Sequence, residues 1–308
     1  MKPPLQERFQ VYVLGPSQDG RLATVPAGKT VPKLELKLDT DAPFLLRSRA
    51  IRQKFQNEVA NEGGTQAGLQ FLKTMWTGPH QDYRQSDFIP ESLQQPYYGY
   101  NGNPKPVSPE IAYPPGGIIT LDLMNTGPTD LTNLTFYWIG VNLYPWGMVP
   151  SPSYPAKFAG ETYAQPFIIP NLGAPEIRLN QPFTCKPGAD FVIRGGQAAE
   201  IPASGVLQPA AEMSIVLRDY NGMPYMNDWV DINILFGQSN FLSSVPVGPV
   251  PQFVQPFGTG AGSHGLIYPE IYLPENRQLL IDVNHSCVAG GGPDDLILNF
   301  LGSAVYAK

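Results

Sequence analysis

Charge is scarce in this chain. Of its 308 residues only 15% are Asp, Glu, Lys or Arg, well below the roughly one quarter usual in soluble globular proteins. The balance is acidic, with 20 Lys and Arg against 26 Asp and Glu. Proteins that track phosphates draw most of their affinity from clustered Lys and Arg, so no nucleic-acid partner is expected. The nearest approach to a basic cluster, Arg47, Arg49, Arg52 and Lys54, reads as a solvated patch on a short helix or loop.

Long apolar runs are missing too. No stretch approaches the ~20 residues of a membrane helix, so no membrane partner is expected. The opening "MKPPLQERFQ" lacks the apolar core of a secretory signal, which predicts synthesis in a cytoplasm. Cysteine is limited to Cys185 and Cys287, too few for a disulfide scaffold or a zinc site. Both adjoin predicted strands and read as buried small hydrophobes, with a single bridge left open for an oxidising compartment.

Groups that move protons are equally few. His80, His264 and His285 are the only histidines, and none has the spacing that assembles a metal site. There is no GxSxG elbow, no GxxxxGK[ST] loop and no GxGxxG opening a helix. The "GTGAGSHG" at 258–265 has neither a following helix nor a lysine and reads as a flexible loop. Asp228 with Asp231 and Asp294 with Asp295 lack the ligand ladder of a calcium loop and read as turn formers. The expectation is a non-enzymatic protein with no catalytic residue, cofactor or metal.

What the chain has in quantity is Gly (31) and Pro (34), which disfavour helices, and 42% hydrophobic residues, enough to build a core. That combination predicts an all-β fold of short strands joined by turns. Alternation supports it: "RFQVYVL" is followed by the turn "GPSQDG", and Leu34, Leu36 and Leu38 share one face while Glu35 and Lys37 share the other. "YPPGGIITLDLMN", "LTFYWIGVNLY", "YAQPFIIP", "EIRLNQPFTCKPGADFVIR", "EMSIVLRDYNGMPY", "WVDINILFG", "LIYPEIYL", "RQLLIDVNH" and "DLILNFLGSAVY" are further strand candidates. Within 47–70, Ile51, Phe55 and Val59 are spaced by four, which suits either one short amphipathic helix or a polar loop.

Two segments have little periodicity. The Tyr-, Gln- and Pro-rich stretch 80–109 is too long for an idle connection. The Pro-rich stretch 145–162 reads as a semi-rigid linker between a first domain, 1–144, and a second, 163–308. The two halves share landmarks in order. "APFLLR" (42–47) matches "ADFVIR" (189–194), "LKTMWTGP" (72–79) sits opposite "LRDYNGMP" (217–224), and "LDLMN" (121–125) falls on "IDVNH" (281–285) after Pro115 or Pro274. "LTFYWIGVNLY" falls on "LILNFLGSAVY", so that Arg47 matches Arg194, Asp122 matches Asp282, and Gly140 matches Gly302. The expected architecture is two tandem antiparallel β-sandwich, jelly-roll-like domains that look like an internal duplication. Asp122 and Asp282 are expected on the solvent face, and the two glycines at a bulge or close backbone approach.

Aromatic residues in loops are the remaining signal. Tyr83, Phe88, Tyr97, Tyr98, Tyr100, Trp146 and Tyr154 lie where burial within a domain does not account for them all. Such residues serve protein interfaces or stack on sugars, and the low charge favours interfaces. "PYYGYNGN" (96–103) is the one place for a sugar platform, which keeps a carbohydrate-binding module as the alternative.

In style, "DAPFLLRSRAI", "ADFVIRGGQ" and "DLILNFLGSAVY", with the repeated sandwich plan and the Pro/Gly/Gln-rich loops, resemble virion structural proteins of tailed bacteriophages. The resemblance implies a component of the particle: a capsid decoration or vertex protein, or a neck, collar or tail protein. It implies assembly with copies of itself and with other virion proteins such as capsid or connector, through loops around 80–109 and 243–264. Location in the virion, after synthesis in the host cytoplasm, follows from the same resemblance.

Overall fold

A computed structural model describes residues 5–53, 71–84, 86–90, 105–145, 161–173, 175–185, 187–201, 213–238, 265–286 and 294–305. Among the described residues the fold is all-β, its strands paired antiparallel apart from one short parallel pair and an isolated parallel bridge between Val11 and Met226. In the first half, β1 (Leu5–Leu14), β10 (Leu134–Pro145), β4 (Phe44–Gln53) and β7 (Lys105–Tyr113) form one sheet in that order. A second sheet runs β3 (Thr30–Lys37), β8 (Ile118–Asn125), β5 (Leu72–Trp76), β6 (Ile89–Pro90), and β2 (Thr24–Val25) pairs separately with β9 (Leu131–Thr132).

The second half repeats the order. Its first sheet contains β11 (Glu161–Leu172), β19 (Asp294–Val305) and β13 (Asp190–Ile201), with β17 (Gly265–Leu273) and the short β16 (Gly237–Gln238) on β13. Its second runs β12 (Glu176–Thr184), β18 (Gln278–His285), β14 (Met213–Arg218), β15 (Val230–Asp231). Each half is thus a jelly-roll-like sandwich of two layers, four strands in each except the five-stranded first sheet of the second half.

Alternation explains the cores. Leu34, Leu36 and Leu38 are at most 4% exposed, and Glu35 and Lys37 face outward, as the sequence predicts. They pack with Phe44, Leu121, Phe136 and Trp138 between the first two sheets. Cys185 is buried and free in the second core, where it plays the small-hydrophobe part expected of it; Cys287 lies outside the described residues.

The edges explain the prolines. Pro has no N–H to give a ladder and belongs on edge strands. Pro32, Pro106, Pro109, Pro166, Pro170, Pro182 and Pro269 all sit in the edge strands β3, β7, β11, β12 and β17. The long edge strand without a proline is β1, "LQERFQVYVL".

Two paired irregularities recur at corresponding positions. On β10 the register slips at Gly140 because Arg47 is an extra residue in β4, and on β19 it slips at Gly302 because Arg194 is an extra residue in β13. Such a bulge bends its strand and re-aims the extra side chain. Arg47 reaches Glu110 on β7 at 2.9 Å and Glu7 on β1 at 2.8 Å. Arg194 reaches Glu270 on β17 at 3.4 Å. The bulge presses backbone onto the facing glycine: a Cβ on Gly140 would lie 2.0 Å from the Leu45 carbonyl oxygen, and one on Gly302 1.9 Å from that of Val192. Both glycines therefore sit at a bulge and at a close approach.

The second irregularity lies in β3 and β12, where Lys33 and Asn180 both have φ +53°. Their N–H groups donate to Asp122 Oδ1 and Asp282 Oδ1, each at 2.7 Å. Asp122 is 9% and Asp282 1% exposed, so the solvent-face expectation fails: a bulge on the neighbouring strand lays a backbone donor over each carboxylate.

Other expectations are corrected here. Residues 44–53 are strand β4, not helix; Ile51 pairs with Phe136 across the ladder, and tertiary pairing outweighs the spacing of four. Residues 54–70 lie outside the described set. Arg49 is buried with its guanidinium 5.4 Å from the Trp76 ring centroid, not on a solvated patch. "WVDINILFG" holds the two-residue β15, a single helical turn (Ile232–Leu235) and β16 in place of one strand. The stretch 80–109 contains β6 and the start of β7. "LKTMW" corresponds to "MSIVL", because Leu72 pairs with Asn125 as Met213 pairs with His285. The matched proline is Pro114, whose carbonyl accepts from Gly117 N–H as that of Pro274 accepts from Arg277 N–H.

Gly140→Ala and Gly302→Ala should each cost about 3 kcal/mol in urea unfolding. Gly20→Ala, with nothing within 4 Å of the added carbon, should change stability by less than about 0.5 kcal/mol.

Candidate functional site: a hairpin docked on a sheet edge

The most elaborate polar construction among the described residues joins the two halves. Its core is the connection from β14 to β15, "DYNGMPYMNDW" (219–229). Asp219 shapes the turn: its Oδ1 accepts from the N–H groups of Asn221 and Met223 at 2.9 and 3.0 Å, and its own N–H donates to the Met223 carbonyl. Gly222 takes φ +83°, which a glycine adopts at no steric cost. At the far end, Asp228 Oδ1 accepts from Trp229 N–H at 2.7 Å.

This hairpin covers the outer edge of β1. Val11 N–H donates to the Tyr225 carbonyl at 2.9 Å, and Asn227 N–H donates to the Val11 carbonyl at 3.3 Å. Val13 N–H donates to Asn227 Oδ1 at 2.7 Å. The hairpin thus gives partners to the backbone groups of Val11 and Val13 that an edge strand otherwise leaves open, on an edge that no proline guards. Ser17 Oγ donates to Asp228 Oδ2 at 2.6 Å, and Gln18 Nε2 also bonds that oxygen.

At the centre is Arg8, buried together with Asp219. Its Nη1 donates to the Pro224 carbonyl and its Nη2 to the Met223 carbonyl, both at 2.8 Å, and Nη2 lies 3.5 Å from Asp219 Oδ2. The guanidinium stacks 4.1 Å from the centroid of Tyr225, a favourable cation–π geometry. Burial pushes the Tyr225 phenol up from its ordinary value. A planar fork that meets two carbonyls, a carboxylate and a ring is a task for Arg that Lys does not perform. Apolar contact completes the joint: Phe9, Val11, Val13, Ala50, Tyr137 and Ile139 of the first half belong to the same cluster as Tyr225, Met226 and the second core.

The first half carries the same hairpin with nothing on it among the described residues. Gly78 N–H donates to the Asp82 carbonyl as Asp219 N–H does to that of Met223. Gln81 has φ +63° where Gly222 has +83°. Arg84 N–H donates to the Trp76 carbonyl as Tyr225 N–H does to that of Leu217. Asp87 Oδ1 accepts from Phe88 N–H at 2.7 Å as Asp228 does from Trp229. Yet Tyr83, Arg84, Ser86 and Asp87 are exposed, whereas Tyr225 and Met226 are buried.

Of the aromatic residues singled out from sequence, Tyr83 is on this exposed hairpin, 42% exposed, with its hydroxyl donating to Asp122 Oδ2 at 2.6 Å. That bond raises its pKa. Phe88 is half-buried at the hairpin's end. Tyr97, Tyr98, Tyr100, Trp146 and Tyr154 lie outside the described residues, as do the sugar-platform candidate 96–103 and the loop 243–264. Of the acidic pairs, Asp228 shapes the hairpin and Asp231 is buried in β15. His285 is buried at the end of β18, its Nδ1 3.0 Å from the Gly173 carbonyl oxygen. No cluster of three or more His, Cys, Asp or Glu able to hold a metal occurs among the described residues, and no helix there is long and apolar enough to cross a membrane. Arg8, Asp219 and the docking of 219–229 escaped sequence reasoning. The one available signal was that β1 alternates like an edge strand but carries no proline.

No family model matches the chain, and no curated protein matches it. Among solved structures, one described as "Life in the extremes: atomic structure of Sulfolobus Turreted Icosahedral Virus" aligns with 96% of this chain and 91% of its own. The identity is 12% and the TM-score 0.21, a likeness too faint to assign either fold or function.

Removing one partner of the buried pair leaves the other charged and unsatisfied, a loss of about 3–5 kcal/mol. Arg8→Ala and Asp219→Ala should each show it in urea unfolding, and both should speed hydrogen exchange at Val11 N–H. Unchanged exchange there would mean that the hairpin holds β1 without them.

Proposed function

We propose that the protein is a non-enzymatic structural subunit of a virus particle, working by assembly with copies of itself and with other particle proteins. One observation carries the assembly reading: the chain docks a hairpin on a sheet edge to join its halves, while the corresponding hairpin of the first half stays exposed. Surfaces of this kind suit a building unit, since sheet edges and rigid turns recognise backbone and shape, as in strand-addition interfaces.

The reading takes the chain as two β-sandwich units, 1–144 and 163–308, on either side of a Pro-rich connection, 145–162. It is supported by the sheets, none of which pairs a strand before Pro145 with one after Glu161 among the described residues; the isolated Val11–Met226 bridge belongs to the docked hairpin. The matching strand order, bulges and hairpins support an origin by duplication. Placement in a virion comes from the resemblance of its strands and loops to virion sandwiches. A tailed-phage decoration, vertex, neck, collar or tail position is the finer form of that reading, with Tyr83, Phe88 and the aromatic residues beyond the described set as contact candidates.

Immunogold electron microscopy of particles from the source, with antibody against the purified protein, tests the placement. Label on shell or vertices, or at one neck or tail point, is expected; intact particles that never label would overturn the virion reading.

A further inference from the structure

We propose that a second copy of this chain docks its 78–88 hairpin on β11, in the manner in which the 219–229 hairpin docks on β1 within the chain. This deepens the assembly reading above and rests on it. The two hairpins share their internal bonds, as shown above, and the two edge strands share their register. Val11 pairs with Ile139 on β10, and Ala164 pairs with Leu301 on β19. Gly140 opposes Gln10 in one sheet, and Gly302 opposes Tyr163 in the other. Ala164 is therefore the counterpart of Val11, with its N–H and C=O on the open side of the strand.

Exposure separates the two edges. From Arg8 to Leu14 every residue of β1 is buried, whereas in β11 Ala164, Pro166 and Ile168 are exposed and Gln165 and Phe167 half-buried. Ile168, at 54%, is an apolar side chain left at the surface. Behind this edge, Ile297, Asn299 and Leu301 of β19 are half-buried, while the corresponding outer face of the first half holds the buried Tyr137 and Ile139 of the joint.

The sequence differences between the two contacts are matched in pairs. Arg8 stacks on Tyr225 in the joint; the backbone register puts the acidic residue Glu161 at Arg8's place on the strand, and Arg84 holds Tyr225's place in the hairpin, so one residue of each charge occupies the two positions. Val13 donates to the Asn227 carboxamide; Pro166 stands at Val13's position without an N–H, and Ser86 stands at Asn227's without a carboxamide. The acceptor and its donor disappear together. Two backbone bonds remain for the contact between copies, Ala164 N–H to the Arg84 carbonyl and Ser86 N–H to the Ala164 carbonyl. Because the surfaces differ on the two partners, the contact is heterologous and propagates head to tail into a closed ring or a filament.

Sedimentation velocity of the full chain over a concentration series, with Arg84→Glu, Glu161→Arg and the double variant, tests the contact. The wild type should associate. Each single variant should weaken association about tenfold or more, with unchanged thermal unfolding of the dilute protein, and the charge swap should recover most of the loss. In a second measurement, Ser86→Cys and Ala164→Cys proteins are mixed and oxidised. A disulfide-linked heterodimer is expected in the mixture, beyond the background that each protein gives alone. A wild type that stays monomeric throughout overturns both the contact and the assembly reading. An oligomer indifferent to all three charge variants, with no cross-link in the mixture, overturns the contact and leaves that reading standing.

Discussion

A sheet edge exposes a row of backbone donors and acceptors, and this fold turns on how each edge disposes of them. Most long edges are blunted by proline, which subtracts a donor and discourages pairing. β1 has no such device and is instead capped from a distance by the turn between β14 and β15, which supplies a carbonyl, an N–H and a carboxamide in the right order. The joint between the halves follows from that choice. Phe9, Val11 and Val13 face the second core because the hairpin seals the strand beside them.

Placing an arginine at such a joint is costly unless its donors are met. Arg8 meets the Met223 and Pro224 carbonyls that follow the tight turn at Gly222, the first of them already closing the turn with Asp219 N–H, so the loop's own acceptors become the binding site for the charge. Asp219 has two duties, one oxygen holding the turn and the other facing the guanidinium. The exposed hairpin has Gly78 in place of that aspartate and still closes with the same backbone bonds. The conformation is therefore a property of the backbone path, and the charge pair belongs to docking.

Much of the fold was legible because alternation reports directly on faces. Leu34, Leu36 and Leu38 announced a half-buried strand, and Gly140 and Gly302 stood out as small residues where bulk was expected. Asp122 and Asp282 were visible as landmarks, but their environment was not. Period-two reasoning assigns a face within one strand and has no access to a bulge on its neighbour, and it is Lys33 and Asn180 in left-handed conformation that cover them. Proline misled in β7, where Pro106 and Pro109 hid an edge strand inside an apparent loop. The joint was least legible: "RDYNGMPYMNDW" is a turn by composition, and nothing local says that its partner is Val11.

That separation along the chain has a temporal side. β1 is made well before β10 and can meet it once Pro145 is made, but the hairpin that seals its outer edge is synthesised on the order of ten seconds later at ordinary elongation rates. Until then Val11 and Val13 lack the partners that the hairpin gives them, and β1 has no proline to guard that edge.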